Sequence, residues 1–290
     1  MTSPDLTAAE LFLAGHARIL DWRRFDVHFR GGDPGTVRHA VAAYRNPDGG
    51  FGFALEPDGR GPATQPVAID LALRTLHQCE AWDEELVAGG CDWLERHAPA
   101  EGGATFVEPS IDGWPRGPWW QPIDGLPASL LPTGGIAGTL HARGVTNPWL
   151  DKATELMWSR MESMEEAGAY ELLGCLRFLQ HAPDRERAER ALDQLAPEIL
   201  RHAELDPDAK GEVHFPLDFA PEPDSVARRL FDDATIEAHL DHFASAQNDD
   251  GGWTFNWLAW SPAAEADWRG SLTVDALLLL RANGRLVLTE

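Results

Sequence analysis

Apolar residues recur at helical spacing along most of the chain, and strand-like alternation is rare. A Thr-x-x-Glu capping box at Thr7 and an apolar face predict a first helix over residues 6–21. The same criteria predict further helices over residues 33–44, 64–78, 83–97, 130–143, 147–164, 167–180, 184–202, 232–246 and 271–283. About ten helices joined in pairs indicate an all-α fold.

Two stretches, 46–70 and 247–275, share an Asp-Gly-Gly-aromatic turn followed by an irregular loop and a helix led by Ser or Thr. The glycines allow positive φ, and Asp48 and Asp250 can accept hydrogen bonds from turn amides. The aromatic residue after each glycine pair can then fill the gap between neighbouring helices. We therefore interpret both aspartates as structural, and residues 101–106 as a degenerate third copy.

Two long loops interrupt the helical pattern. Residues 107–127 contain five prolines and three tryptophans, and residues 206–225 contain the run HFPLDFAPEPDS. Loops of this length inside a compact domain are usually functional or disordered, and the tryptophans argue against disorder.

Composition restricts the classes of partner. The 290 residues suit one large domain or two ordinary ones, and the formal charge of −23 argues against nucleic acid and against an anionic membrane surface. Lys152 and Lys210 are the two lysines, so arginine dominates the basic residues. Arginine suits fixed pairs with carboxylates or phosphate groups, and a local arginine cluster could still hold a diphosphate.

The three cysteines, Cys79, Cys91 and Cys175, lie in helical patterns and suit buried thiols in a reducing compartment. The N-terminal residues are acidic where a signal peptide is basic, and no apolar run approaches about 20 residues. We expect a cytoplasmic protein without a membrane span. The sequence leaves the oligomeric state open.

The runs QNDDGGW at 247–253 and NPDGGF at 46–51 resemble the glutamine-tryptophan repeats of squalene-hopene and oxidosqualene cyclases. They also resemble the glycine-rich repeats of protein prenyltransferase β subunits. The resemblance implies one α/α toroid over 1–290, with inner helices near 64, 130, 167 and 271 around a cavity that holds an isoprenoid chain. The Asp-x-Asp-Asp acid motif of the cyclases and the Asp-x-Cys zinc motif of the prenyltransferases are absent, and we expect neither metal nor cofactor.

Loop carboxylates are the candidate catalytic groups. Glu56 and Asp58 lie beside Arg60, and Asp218 lies among apolar neighbours. A carboxylic acid near apolar walls can act as a general acid, whereas an ion pair with Arg60 or a turn cap is the structural alternative. Asp70 and Asp275 occupy matching positions on two predicted inner helices, where they face the cavity or cap a neighbouring turn.

Twelve tryptophans are the other chemical signal. Those at helical spacing are interpreted as packing residues, while those in loops can shelter a cation or bind an apolar chain. The predicted substrate-binding residues are Trp119, Trp120, Trp257, Trp260 and His214.

Three functions remain open from the sequence. The first is a terpene-cyclase-like enzyme that protonates an isoprenoid or similar apolar chain in a Trp-lined cavity. The second is a non-catalytic binding or scaffold toroid, which a cavity filled by side chains would favour. The third is a carbohydrate-active enzyme, in which Glu56 or Asp58 faces Asp218 across a groove.

Overall fold

The computed structural model describes residues 4–286, and this part of the chain forms twelve α-helices, two short 3-10 helices and no strand. The prediction of an all-α fold is confirmed, and the closed ring stays a prediction. Between residues 4 and 286, no helix has the length and apolar composition needed to cross a bilayer. The helices are α1 (Leu6–His16), α2 (Ile19–Arg30), α3 (Pro34–Ala42), α4 (Pro66–Gln78), α5 (Glu84–His97), α6 (Leu130–Ala142), α7 (Pro148–Glu162), α8 (Ala169–His181), α9 (Arg185–His202), α10 (Pro216–Phe219), α11 (Asp233–Ser245) and α12 (Pro262–Ala282).

The chain divides into two compact units. Unit 1 contains the described residues of Met1–Thr36 and Ile199–Glu290, and unit 2 contains Val37–Glu198. The single domain expected from the sequence stays a prediction.

In unit 2, α6 lies between α4 and α8, while α7 contacts both α6 and α8. Three glycines allow α6 and α8 to approach at backbone distance. A Cβ on Gly134 would lie 2.1 Å from the carbonyl oxygen of Gly174, and a Cβ on Gly174 would lie 2.2 Å from the carbonyl oxygen of Leu130. Gly138 makes a similar approach to the carbonyl oxygen of Arg177, at 2.3 Å. Larger side chains would separate these helices.

In unit 1, α12 packs against α1 and α2. Its core includes Phe12 of α1, Phe25 of α2, Leu277 of α12 and Trp253 of the second repeated turn. The rings of Phe25 and Phe29 stack with centroids 5.3 Å apart. Burial of these apolar side chains stabilises the unit.

Two predicted helix boundaries are wrong. The first helix ends at His16, because Arg18 adopts extended backbone and α2 then begins at Ile19. Its N-cap is Asp5, whose carboxylate accepts a hydrogen bond from the Ala8 amide, so the capping box predicted at Thr7 does not form. The last helix begins at Pro262, nine residues before Ser271, because Ser261 caps the Ala264 amide at 3.1 Å.

The repeated turns adopt the predicted geometry. Gly49 has φ of 96° and Gly251 has φ of 92°. The carboxylates of Asp48 and Asp250 each accept a hydrogen bond, 3.0 Å long, from the amide two residues later. The following aromatic side chains are buried. The third copy also forms, since Gly102 has φ of 91°.

Candidate functional site

Residues 52–62 and 105–127 of unit 2 form a pair of ordered loops, called here the paired loops. The amide of Gly117 donates to the carbonyl oxygen of Asp58 at 2.8 Å. The amide of Arg60 likewise donates across the pair, at 3.0 Å, to a carbonyl oxygen of the second loop. These hydrogen bonds fix the two loops against each other, although neither forms a strand or a long helix.

Two buried or half-buried polar side chains hold the second loop in place. Arg116 donates through Nε to the carbonyl oxygen of Trp120 at 3.0 Å. Gln65, just before α4, donates through Nε2 to Oγ of Ser110 at 3.1 Å and accepts from the amide of Glu108 at 2.9 Å. The loop is therefore anchored to the start of α4, as well as to itself.

Both candidate acids of unit 2 lie in one tight turn of the paired loops. Asp58 is 5% exposed, and its amide donates to Oε2 of Glu56 at 2.8 Å. The amide of Gly59 donates to the carbonyl oxygen of Glu56 at 3.3 Å, which closes the turn. The structure thus brings the two acids together and buries the Asp58 side chain. Their catalytic roles stay predictions.

The two adjacent tryptophans of the second loop have different environments. Trp120 is 1% exposed, whereas Trp119 is 38% exposed. A Cβ on Gly59 would lie 2.2 Å from Cζ3 of Trp120, so the turn that carries Asp58 rests on this indole ring. Trp120 also meets the ring of Phe106 edge-on, with centroids 5.8 Å apart. Its Nε1 is buried and has no hydrogen-bond partner among residues 4–286.

The candidate acid of unit 1, Asp218, belongs to the short helix α10. Its side chain is 48% exposed and accepts a hydrogen bond from the amide of Phe215 at 2.7 Å. His214 places Nδ1 3.9 Å from Oδ2 of Asp218. The carboxylate caps the helix and is partly exposed, and loss of hydration among its neighbours still raises its pKa above the usual range. Its role in catalysis, and that of His214 in substrate binding, stay predictions.

The second predicted tryptophan set lies in residues 254–261 of unit 1. Trp257 stacks on Phe255 with ring centroids 4.4 Å apart and meets Trp268 edge-on at 5.5 Å. Trp260 is half-buried. Trp268 precedes the predicted helix over residues 271–283, yet it belongs to α12, which begins at Pro262. Substrate binding by Trp257 and Trp260 stays a prediction.

A buried ionic network in unit 1 joins α2 to α12. Arg24 donates through Nη1 to Oγ of Ser271 at 3.1 Å and also pairs with Asp275. Asp21 lies 3.4 Å from Arg24 and 2.8 Å from Arg18. Sequence patterns show the spacing of Asp21 and Arg24 along one helix, but they do not show that α12 packs against that helix. Asp275 therefore pairs with α2.

The matching residue of unit 2, Asp70, pairs with two arginines. Its Oδ2 lies 3.3 Å from Nε of Arg74 and 3.6 Å from Nη1 of Arg177. The spacing of Asp70 and Arg74 is visible in the sequence as an i, i+4 pair. Arg177 lies on α8, and only the packing of α4, α6 and α8 brings it to the same carboxylate.

A surface groove of ≈ 400 Å³ lies at α7, and Trp158, Ser159 and Arg187 contribute to its lining. The guanidinium of Arg187 lies over the Trp158 ring at 4.6 Å. None of the residues predicted as catalytic or substrate-binding lines this groove.

The cysteine thiols and the residue types that bind metal ions were the other candidates for chemistry among the described residues. Burial raises the pKa of Cys91 to about 11 and that of Cys175 to about 12, so both thiols are protonated near neutral pH. None of the three cysteines forms a disulfide, and all three are buried, as predicted. Across the described part of the chain, no group of three or more His, Cys, Asp or Glu side chains could hold a metal ion.

Comparison with known proteins shows a fold that this chain shares with a solved structure, and it identifies no family. No family model matches the chain, and no curated protein matches it. The structure is similar to a crystal structure of a protein from Actinoplanes, with a TM-score of 0.59 and 15% sequence identity. The likeness covers 96% of this chain and 89% of the Actinoplanes chain. At this identity it shows a shared fold.

Proposed function

We propose that the protein is a terpene-cyclase-like enzyme that protonates an isoprenoid or similar apolar chain, with Asp58 as the proton donor. The observation that carries the proposal is the burial of Asp58 in a turn that rests on the Trp120 indole. Burial of a carboxylic acid beside an aromatic ring provides an acid and a cation-stabilising face in one place.

Two further observations support this assignment. Glu56 accepts a hydrogen bond from the Asp58 amide, which fixes the backbone of the donor. The repeated Asp-Gly-Gly-aromatic turns, on which the resemblance to the cyclases and prenyltransferases rests, have the geometry expected of them. Trp119, which is partly exposed in the second of the paired loops, is the residue that contacts the arriving chain.

The proposed reaction needs no cofactor. The O–H bond of the Asp58 carboxylic acid breaks, and a C–H bond forms at one carbon of a substrate double bond. Positive charge develops on the other carbon, where aromatic faces stabilise it by about 0.5–2 kcal/mol each. Loss of a proton from a neighbouring carbon ends the reaction, and solvent returns a proton to Asp58. The product is an isomer of the substrate.

The test is incubation with linear polyprenes and prenyl diphosphates in D₂O, followed by mass spectrometry. We expect a product that carries one solvent deuterium at carbon. Asp58→Asn removes the donor and should lower the rate by about 100-fold or more, the usual contribution of general acid catalysis.

Asp112→Asn is the matched control, because Asp112 lies in the second of the paired loops and pairs with Arg116 at the surface. Its activity should stay within about twofold of the wild type. Absence of both turnover and binding across the panel would contradict the proposal. So would an Asp58→Asn variant that remains fully active.

A non-catalytic binding or scaffold role is the second candidate. The close contact between Gly59 and Trp120 favours it, since the turn covers the part of the indole ring that it touches. Binding of a polyprene without deuterium incorporation by the wild type would select this role over the enzyme.

A further inference from the structure

The helices α4, α6 and α8 of unit 2 each carry a histidine in their last turn. These residues are His77, His141 and His181. The rings of His77 and His181 meet edge-on with centroids 6.0 Å apart, and the ring of His141 meets that of Phe178 on α8 at 5.9 Å. Because α6 packs against both α4 and α8, the three histidines lie at the same end of this group of helices.

Arg143 joins the ends of α4 and α6. It caps the C-terminus of α6, and its Nε donates to Nδ1 of His77 at 2.7 Å. Its Nη2 donates to the carbonyl oxygen of His77 and to Oε2 of Glu80, both at 2.8 Å. The guanidinium also lies over the Trp82 ring, 5.3 Å from its centroid. One side chain therefore holds the two helix ends together.

The contact between Arg143 and His77 requires a neutral imidazole. Nε of arginine always carries a hydrogen atom, so Nδ1 of His77 can only be the acceptor. The single proton of the neutral ring then lies on Nε2. A proton on Nδ1 as well would place two donors and two positive charges 2.7 Å apart, and the hydrogen bond would break.

The surroundings of His77 also favour its neutral form. Burial lowers the pKa of His77, and the nearby charges of Arg143 and His181 add to the effect. The carboxylate of Glu80 acts in the opposite direction. The open form of this end therefore binds a proton below pH 6.5 that the closed form does not, so acid favours opening.

His141 responds to acid in the same direction. Burial lowers its pKa, the carboxylate of Asp151 opposes this shift, and the charge of His181 adds to it. Its Nε2 lies 2.8 Å from Oγ1 of Thr154 on α7. Protonation of His141 or His181 would thus add positive charge beside His77.

We propose that His77 and Arg143, with His141 and His181 beside them, form an acid-sensitive latch within unit 2. The latch is closed while His77 accepts the hydrogen bond from Arg143. Uptake of a proton by His77 opens it, because either the ring or the guanidinium must then move away. None of these residues takes part in the proposed proton transfer, so the latch goes beyond the proposed function.

Backbone amides beside the latch report whether it is open. The amide of Ala81 donates to the carbonyl oxygen of Leu76 at 2.9 Å, and that of Val145 donates to the carbonyl oxygen of Leu140 at 3.0 Å. These hydrogen bonds close the ends of α4 and α6, the two helices that Arg143 joins. Local opening lets such amides exchange with solvent.

The experiment is amide hydrogen exchange of the full chain at about pH 7.5 and about pH 5, read by mass spectrometry and corrected for intrinsic exchange rates. We expect peptides that contain the reporter amides to exchange faster at the lower pH by about tenfold or more, the effect of losing a hydrogen bond to a charged group. In His77→Gln the side-chain oxygen can accept from Arg143 and binds no proton. This variant should keep its protection at both pH values.

His39→Gln is the matched control, because His39 is an exposed histidine of α3 in the same unit. It should respond to acid as the wild type does. Equal loss of protection in the wild type and in His77→Gln overturns the proposal. So does a wild type whose reporter amides are equally protected at both pH values.

Nitrogen-15 NMR of the imidazole rings tests the hydrogen bond in the wild type, independently of how any variant folds. We expect His77 to carry its proton on Nε2 near neutral pH and to titrate with a midpoint below 6.5. A proton on Nδ1 of the neutral ring, or a midpoint at or above 6.5, overturns the proposal.

Discussion

Arg24 of α2 donates through Nη1 to Oγ of Ser271 of α12, across 3.1 Å and 247 positions of sequence. The same guanidinium pairs with Asp275 and lies 3.4 Å from Asp21. Each of these groups would cost free energy if it were buried alone, because charges lose hydration when they leave water. The network therefore couples the first helices of unit 1 to its last helix.

Arg24→Met should lower the free energy of unfolding by about 1–3 kcal/mol, since it removes the buried donor to Ser271 and the charge that pairs with Asp275, while Asp21 keeps its pair with Arg18. Urea unfolding measures the loss. The control is Arg23→Met on the same helix, because the Arg23 side chain is 41% exposed and lies 3.8 Å from Asp26. An exposed pair of this kind is worth less than about 1 kcal/mol. Equal losses in the two variants would show that the network contributes nothing beyond a surface ion pair.

Alanine substitutions at two glycines of unit 2 should change the stability of the protein in opposite directions. Gly174→Ala should destabilise the protein by at least about 2 kcal/mol, because the new Cβ would lie 2.2 Å from the Leu130 carbonyl oxygen and would force α6 and α8 apart. Gly90→Ala on α5 should stabilise it by up to about 1 kcal/mol, since alanine favours a helix. The nearest atom to its Cβ would be Cγ2 of Ile69, at 3.4 Å.

Thermal unfolding of both glycine variants under one buffer condition checks these signs. A Gly174→Ala variant as stable as the wild type would mean that α6 and α8 do not approach at backbone distance.

His28 makes stability depend on pH. Burial lowers its pKa from 6.5 to about 4, and the nearby charges of Arg24 and Arg281 add to the effect. Between these two pH values the unfolded chain binds a proton that the folded chain does not. Stability should therefore fall as the pH drops from 6.5 toward 4, and this contribution should be absent above 6.5.

The measurement is urea unfolding at about pH 7 and about pH 4.5, for the wild type and for His28→Gln. The variant cannot bind the extra proton, so it should lose less stability on acidification. The same loss in both proteins would assign the acid sensitivity to other groups.

Local patterns predicted most helices and both repeated turns. The helix that starts at Pro66 and the turn at Asp48 depend on near neighbours, namely the proline-fixed φ and the glycine with positive φ. The start of α12 was missed because Trp-rich residues before Ser271 resemble a loop, although Ser261 and Pro262 are a visible start signal. The presence of the helices was thus predictable. Their ends were harder to predict where the terminal residues lack a clear apolar face.

The arrangement of the candidate site, unlike the helices, depends on contacts that the sequence does not reveal. The sequence places Asp58 and Trp120 in two loops, and their contact through Gly59 depends on how those loops fold together. Trp119 and Trp120 are adjacent residues of the same type, yet Trp119 is partly exposed and Trp120 is buried. The direction of the loop backbone decides which of the two rings turns inward.

The sequence by itself determined that this protein is helical and that Asp-Gly-Gly-aromatic corners join its helices, since both depend on residues within a few positions of each other. Only the tertiary structure decided that Asp70 would meet Arg177 and that Arg24 would meet Ser271. Charged side chains find such partners through the packing of helices distant in sequence, and periodicity along one helix carries no information about which helix lies opposite.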